Sequence, residues 1–200
     1  TGTSLRDGDK IRLGEVVFKF VVQDALDAEF HREIHRRIHY DHLTGLMIME
    51  SFRRLLDATI ESSRPDQPFA LAMTDLDGLK QINDTYGHLA GRKVVATMGA
   101  LIRATLRPAD LAGLYGGDEA VILYPRTALA EALEVAEQLR KTIEAKVFEH
   151  DGHTFRVTMS QGLAEWPRHG ATAEAIIAGA DRALYTAKAD GRNCVRSAGT

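Results

Sequence analysis

One cysteine, one tryptophan and five prolines are spread over 200 residues. A lone thiol, Cys194, cannot form a disulfide within the chain, which suits a reducing compartment and points to the cytoplasm. No apolar run approaches the roughly 18 residues of a membrane-spanning helix, so no membrane association is expected. No segment reads as a signal peptide, and a chain that begins at Thr1 rather than Met is compatible with a fragment. The net charge of −3 offers no general attraction to nucleic acid or anionic lipid. Internal repeats and low-complexity tracts are also missing. These absences leave room for one sizeable core and an appendage.

The most informative segment that is present runs from Leu114 to Leu123, where Gly116, Gly117, Asp118 and Glu119 lie between apolar runs. The pattern predicts a β-hairpin, Leu111–Tyr115 with Ala120–Tyr124, because glycine reaches positive φ without strain in a tight turn. A Gly-Gly-Asp turn is a common structural device. Adjacent carboxylates on a rigid turn also suit a hard metal ion and a phosphate substrate. A second apolar run, Phe69–Thr74, reads as a buried strand that ends in Asp75-Leu76-Asp77. In α/β folds, the carboxyl end of such a strand is where ligands bind. Gly78, Lys80, Asn83, Asp84, Tyr86, Gly87, His88 and Gly91 follow directly.

Taken together, Asp75 to His88 resemble the nucleotide-binding signature of the GGDEF (diguanylate cyclase) family. Asp41-His42-Leu43-Thr44-Gly45-Leu46 resembles the family's opening motif, and Arg107-Pro108-Ala109-Asp110 its R-x-x-D product site. Ala183–Lys188 with Gly191-Arg192-Asn193 resembles its closing helix. The resemblance covers roughly residues 41–197 and implies a palm-like α/β fold, with a mostly antiparallel sheet flanked by helices. Further helices are expected over Met47–Ser62, Ala90–Leu106, Thr127–Phe148 and Ala171–Ala189, and a strand over Val157–Ala164.

The resemblance also implies roles. Asp75, Asp118 and the carbonyl of Leu76 would hold Mg²⁺ or Mn²⁺, with Glu119 and Lys80 completing a catalytic set. Backbone N–H groups near Gly78 and Leu79 would cradle phosphates, which a helix N-terminus can do. Gly116, Gly117, Lys188 and Arg192 would line the substrate; without the resemblance, a cationic helix end stabilised by its dipole would be the favoured reading of the last two. Asn83 and Arg92 would face the base. Two GTP molecules would be joined by a homodimer into a cyclic dinucleotide, c-di-GMP, with ATP as an alternative nucleotide partner. Arg107 and Asp110 would form an inhibitory site for that product, unless they are only a helix-to-strand turn.

Departures from the family pattern concentrate at base reading and turn packing. Ala120 stands where Phe is usual, Leu114 where Arg is common, and Gln161 where an aliphatic residue is usual. Arg92 replaces an acidic residue. Guanine presents N–H donors on the edge concerned, and an arginine side chain has donors only. Three readings follow: an active cyclase with altered purine choice, a silent domain that binds GTP or c-di-GMP, and a cyclase making another nucleotide. The intact acids and lysines favour the first.

Upstream of residue 43 the pattern changes. Residues 1–22 carry D-G-D-x-I-x-L-G and a β-branched strand, which resemble the closing hairpin of a forkhead-associated (FHA) domain, a phosphopeptide-binding module. A hairpin of no special identity fits as well. Residues 23–42 read as a linker helix with an apolar stripe at Leu26, Phe30, Ile34 and Ile38. Such a helix can pair with its twin or pack on its own domain. His31, His35 and His39 recur at the same spacing, a pattern that more often marks a solvated face than a metal site.

Overall fold

The computed structural model describes residues 4–22 and 25–199; positions 23 and 24 of the expected linker helix lie outside the described residues. The chain divides into two compact units, residues 1–38 and 39–200. In the first, β1 (Lys10–Leu13) and β2 (Val16–Lys19) form an antiparallel hairpin, and α1 (Ala25–His39) runs to the boundary. Leu26, Phe30, Ile34 and Ile38 are all exposed along this helix.

The second unit is built on a six-stranded sheet. Its elements in chain order are β3 (Met47–Ile48), α2 (Met49–Ser62), β4 (Phe69–Asp77), α3 (Leu79–Tyr86), α4 (His88–Thr105), β5 (Leu111–Gly116) and β6 (Glu119–Tyr124). These are followed by α5 (Leu129–Ala145), β7 (Val147–His150), β8 (His153–Arg156), β9 (Thr158–Trp166), α6 (Ala173–Ala189) and β10 (Val195–Ser197). The strand order is β10-β9-β4-β6-β5-β3. The three inner pairings are antiparallel and the two outer ones parallel. The expected mostly antiparallel sheet flanked by helices is present.

β4 lies at the centre and is buried along nearly its whole length, which is why its sequence is a continuous apolar run. Its side chains still alternate between the two faces. Ala70 and Ala72 join the core under α4 and α5 with Met98, Ile102, Ala136 and Ile143. Phe69, Leu71 and Met73 join the core under α2 and α6 with Phe52, Leu56, Ile176 and Leu184. The same parity carries Asp75 and Asp77 onto the α6 side of the sheet.

Several expected boundaries move. Met47 and Ile48 pair with β5 as a short edge strand, so the helix expected from Met47 starts at Met49. The helix expected over Ala90–Leu106 spans His88–Thr105, and the strand expected over Val157–Ala164 continues to Trp166. The closing helix starts at Ala173 rather than Ala171. The long helix expected to reach Phe148 ends at Ala145, and Val147–Arg156 forms a separate hairpin. Its turn is Asp151-Gly152, both at positive φ (48° and 78°), a dipeptide suited to a tight hairpin. Residues 79–86, read only as part of a nucleotide motif, form a helix of their own.

Candidate active site

Two chain features bring the acids together. The first is the register of β4 on β6, which sets Asp75 opposite Glu119. The second is the turn between β5 and β6, which consists of Gly117 and Asp118, with Gly117 at φ 59°. Glu119 is thus the first residue of β6 rather than part of the turn. The pairing slips by one residue between Leu114 and Gly116, leaving Tyr115 as an exposed bulge. Bulges of this kind redirect a strand end beside a functional site.

α6 supplies the cation. Gly162 of β9 faces it so closely that a Cβ there would collide with the backbone of Ala180 and Leu184. This close approach carries the end of α6 to the acids, and the Lys188 ammonium lies 2.7 Å from Asp75. Burial is the main cause that pushes the Asp118 and Glu119 carboxyls above the usual carboxylate range, and the charge of Asp75 adds to it. Lys188 pulls both back down. The site therefore carries more negative charge than its lysine offsets. Among the described residues, no three Asp, Glu, His or Cys side chains form a ready-made metal cage. A donor set of two carboxylates and a carbonyl fits Mg²⁺, which commonly takes its remaining ligands from water and phosphate.

The β4–α3 junction builds the phosphate side. Gly78 sits at φ 76° and ψ 21°, the left-handed conformation that ends β4 and starts α3 without a clash. The N–H groups of Leu79 and its neighbours are thereby left at a helix start, where they lack intrahelical partners. Lys80 is exposed in the first turn of α3. One turn on, the Asn83 amide rests against Gly91 of α4, where a Cβ would collide with it. Arg92, next along α4, is exposed. Arg192 is exposed beyond the end of α6, and it forms no ion pair with the acids among the described residues.

Arg107 and Asp110 lie apart from this cluster, at the other end of β5. The six residues of that strand span about 20 Å. The Arg107 guanidinium donates to Asp110 from Nε at 3.1 Å, to Glu131 at 2.6 Å and to Thr127 at 2.8 Å. The Asp110 side chain is 1% exposed and also accepts from the Arg107 backbone N–H. These contacts, that with Asp110 first, hold the guanidinium in its charged form.

Three residues with structural work at the site carried no role in the sequence reading. Asp77 accepts from Thr158 and Ser160, each at 2.7 Å, and from the Asn193 backbone at 3.0 Å. Glu131 and Thr127 enclose Arg107. The parity of Asp75 and Asp77 on one strand was a legible signal for the first; the partners of Arg107 had none. Gln161, noted as a departure, is fully buried, donates to the Ala136 carbonyl at 2.6 Å and leaves its own carbonyl oxygen unpartnered.

A sheet that sets a turn acid and a strand-end acid beside an acid on the adjacent central strand, next to a glycine-started helix, has the layout of a palm-type domain. Residues 38–194 match the family "Diguanylate cyclase, GGDEF domain", and the chain belongs to that family. It is 38% identical over 159 residues to diguanylate cyclase A of Treponema denticola and 36% identical over 158 residues to the response regulator PleD of Caulobacter vibrioides. Each alignment covers 78% of this chain, but only 43% and 35% of those proteins. Among solved structures, the coiled coil and GGDEF domain of DgcB from Caulobacter crescentus, in complex with c-di-GMP, superposes with a TM-score of 0.77 at 28% identity. That match covers 86% of this chain and 91% of the other.

Proposed function

We propose that this chain is a diguanylate cyclase, joining two GTP molecules into c-di-GMP with release of two pyrophosphates. The observation that carries the reading is the meeting of Asp75, Asp118 and Glu119 at one strand edge with a single lysine against them. A crowded set of acids gains when a divalent cation and a phosphate chain arrive together. Asp75, Asp118 and the Leu76 carbonyl would hold Mg²⁺ or Mn²⁺. When bound, that ion supplies Lewis acidity toward the triphosphate and the attacking hydroxyl.

The remaining roles belong to the chain. N–H groups around Gly78 and Leu79 cradle phosphates, and Lys80, Lys188 and Arg192 balance their charge. Gly116 and Gly117 let the substrate approach the turn. Glu119 assists proton transfer from the ribose 3′-hydroxyl, and its raised pKa suits that work. Asn83, seated on Gly91, reads the purine, with Arg92 on its flank. Each domain holds one nucleotide, so joining two requires a second copy, and the exposed stripe of α1 suits such pairing. Arg107 and Asp110 take the product. GTP as substrate and a free thiol fit the cytoplasm, and the β1–β2 hairpin fits the tail of an upstream FHA-type domain.

Arg92 favours a second reading, a silent domain that binds GTP or c-di-GMP. Incubating the purified chain with Mg²⁺ and GTP, ATP or both, with products identified by mass spectrometry, separates the two. Cyclic dinucleotide formation is the expected result. Nucleotide binding without product would favour the silent domain, and neither binding nor product would remove both.

A further inference from the structure

The loop that follows α6 carries Arg192 in a backbone conformation that the chain does not adopt by default. Gly191, Arg192 and Asn193 lie consecutively at positive φ, at 107°, 66° and 48°. Glycine is at ease there, but two successive side-chain-bearing residues are not, and they persist only where their surroundings hold them. The surroundings here are specific. The Arg192 N–H donates to the Ala187 carbonyl at 3.1 Å, and the Asn193 N–H to Asp77 at 3.0 Å. The Asn193 amide donates to Glu144 at 2.7 Å and accepts from Arg140 at 2.7 Å. Arg140 is itself 10% exposed and paired with Glu137 and Glu144 of its own helix.

Asp77 is the hub of this arrangement. It shares a face of β4 with Asp75, two residues away, but its carboxylate is taken by two β9 hydroxyls and the loop N–H. It ties the end of the central strand to the loop that carries Arg192. We propose that Asp77 is a positioning residue which, with Asn193, fixes this loop so that Arg192 stands ready for the triphosphate. The proposal rests on the reading of Arg192 as a phosphate contact. A carboxylate that only braced β4 against β9 would need Thr158 and Ser160, and would have no reason to grip a strained loop N–H.

The test is a double-mutant cycle on the full 200-residue chain. Calorimetry with Mg²⁺ and a non-hydrolysable GTP analogue is run on the parent, Asp77→Asn, Arg192→Ala and the double variant, with a thermal melt of each. Arg192→Ala should weaken binding about tenfold, the scale of one charge-assisted phosphate contact. Asp77→Asn should weaken it by about five- to tenfold, and should add little in the Arg192→Ala background. Asn193→Ala leaves every β4 and β9 side chain in place and should reproduce the loss, so it carries the same test if Asp77→Asn melts too early to measure. Independent, multiplying effects of Asp77→Asn and Arg192→Ala would overturn the positioning role. So would parental affinity in both Asp77→Asn and Asn193→Ala. If Arg192→Ala alone binds like the parent, the phosphate reading of Arg192 fails and takes the proposal with it. A parent that binds no GTP analogue instead counts against the cyclase reading.

Discussion

At one end of β5, three carboxylates lie near one ammonium, which pairs with Asp75; at the other, one guanidinium is shared by two carboxylates and a hydroxyl. The first end is short of positive charge. Asp118 and Glu119 are pushed upward by burial and by Asp75, and Lys188 relieves this only in part. The second end is nearly filled, because Arg107 has four of its five N–H donors placed. A cation arriving at the acidic end relieves repulsion. An anion arriving at the Arg107 end finds two carboxylates on the guanidinium and must displace partners that the chain itself supplies. The two ends thus differ less in residue type than in what an incoming ligand would have to change.

The largest expected effect lies at the acidic end. Asp118→Asn removes one charge at constant volume and should lower product formation at least about a hundredfold, the scale of several kcal/mol of lost charge stabilisation. The fold should survive, since Asp118 sits in a two-residue turn and not in either core. Circular dichroism melting checks the fold and mass spectrometry the product. Parental turnover would show that the acidic end is not the reaction centre.

Arg92 tests whether the flank of that site reads the base. Arg92→Asp restores acceptors for guanine N–H donors and should raise the preference for GTP over ATP about ten- to a hundredfold, the worth of one or two hydrogen bonds. Competition binding with both nucleotides reads the ratio. An unchanged ratio would place Arg92 away from the base. At the other end of β5, Arg107→Ala should weaken c-di-GMP binding at least about tenfold, the scale of one charge-assisted bidentate contact. Calorimetry on the two proteins decides, and equal affinities would reduce Arg107 and its neighbours to a structural corner.

How far these ends were legible in the sequence follows from the range of the interactions. β4 and the turn at Gly117-Asp118 were legible because a continuous apolar run, a glycine pair and acids at fixed spacing are local signals. α3 was hidden because it is only eight residues long, although Leu79 and Ile82 pack against the core three residues apart. The β7–β8 hairpin was hidden because Val147 and Phe148 extend the apolar pattern of α5 past its true end. Arg107 and Asp110 were visible as a pair, but Glu131 lies 24 residues on and meets Arg107 only through the placement of the first turn of α5. The hydroxyls that hold Asp77 are more than 80 residues distant. Register decides such partners, and register is a property of the assembled sheet.

The upward shifts of Asp118 and Glu119 give the acidic end a pH signature. An acid that titrates higher when folded holds its proton over a window in which the unfolded chain has lost it. Its contribution to stability is therefore complete below the ordinary carboxylate value near 4 and is lost as pH rises through the folded value. Mg²⁺ should oppose that loss by offsetting the partly buried charges. The rise in melting temperature with Mg²⁺ should be a few degrees at pH 8 and should shrink toward pH 4 as the acids protonate. An equal rise at both pH values would mean that the ion binds elsewhere.

The smallest expected effect sharpens the comparison most, because it concerns the second carboxylate that occupies Arg107. Glu131 holds Arg107 at 2.6 Å from the first turn of α5, with its side chain 54% exposed. An ion pair that open to water contributes little to stability, about 1 kcal/mol at most. It nevertheless occupies a donor that a phosphate would otherwise take. Glu131→Gln keeps the length and removes the charge, so the melting temperature should barely move. Affinity for c-di-GMP should rise by about two- to fivefold, the equivalent of up to about 1 kcal/mol of lost competition. The gain should vanish in the Arg107→Ala background, since Glu131 would then have no donor to withhold. Unchanged affinity in Glu131→Gln, with Arg107→Ala still weakened, would mean that the product reaches Arg107 without displacing Glu131. The contrast between the two ends of β5 in how their cations are occupied would then be real in the free chain but without consequence for the ligand.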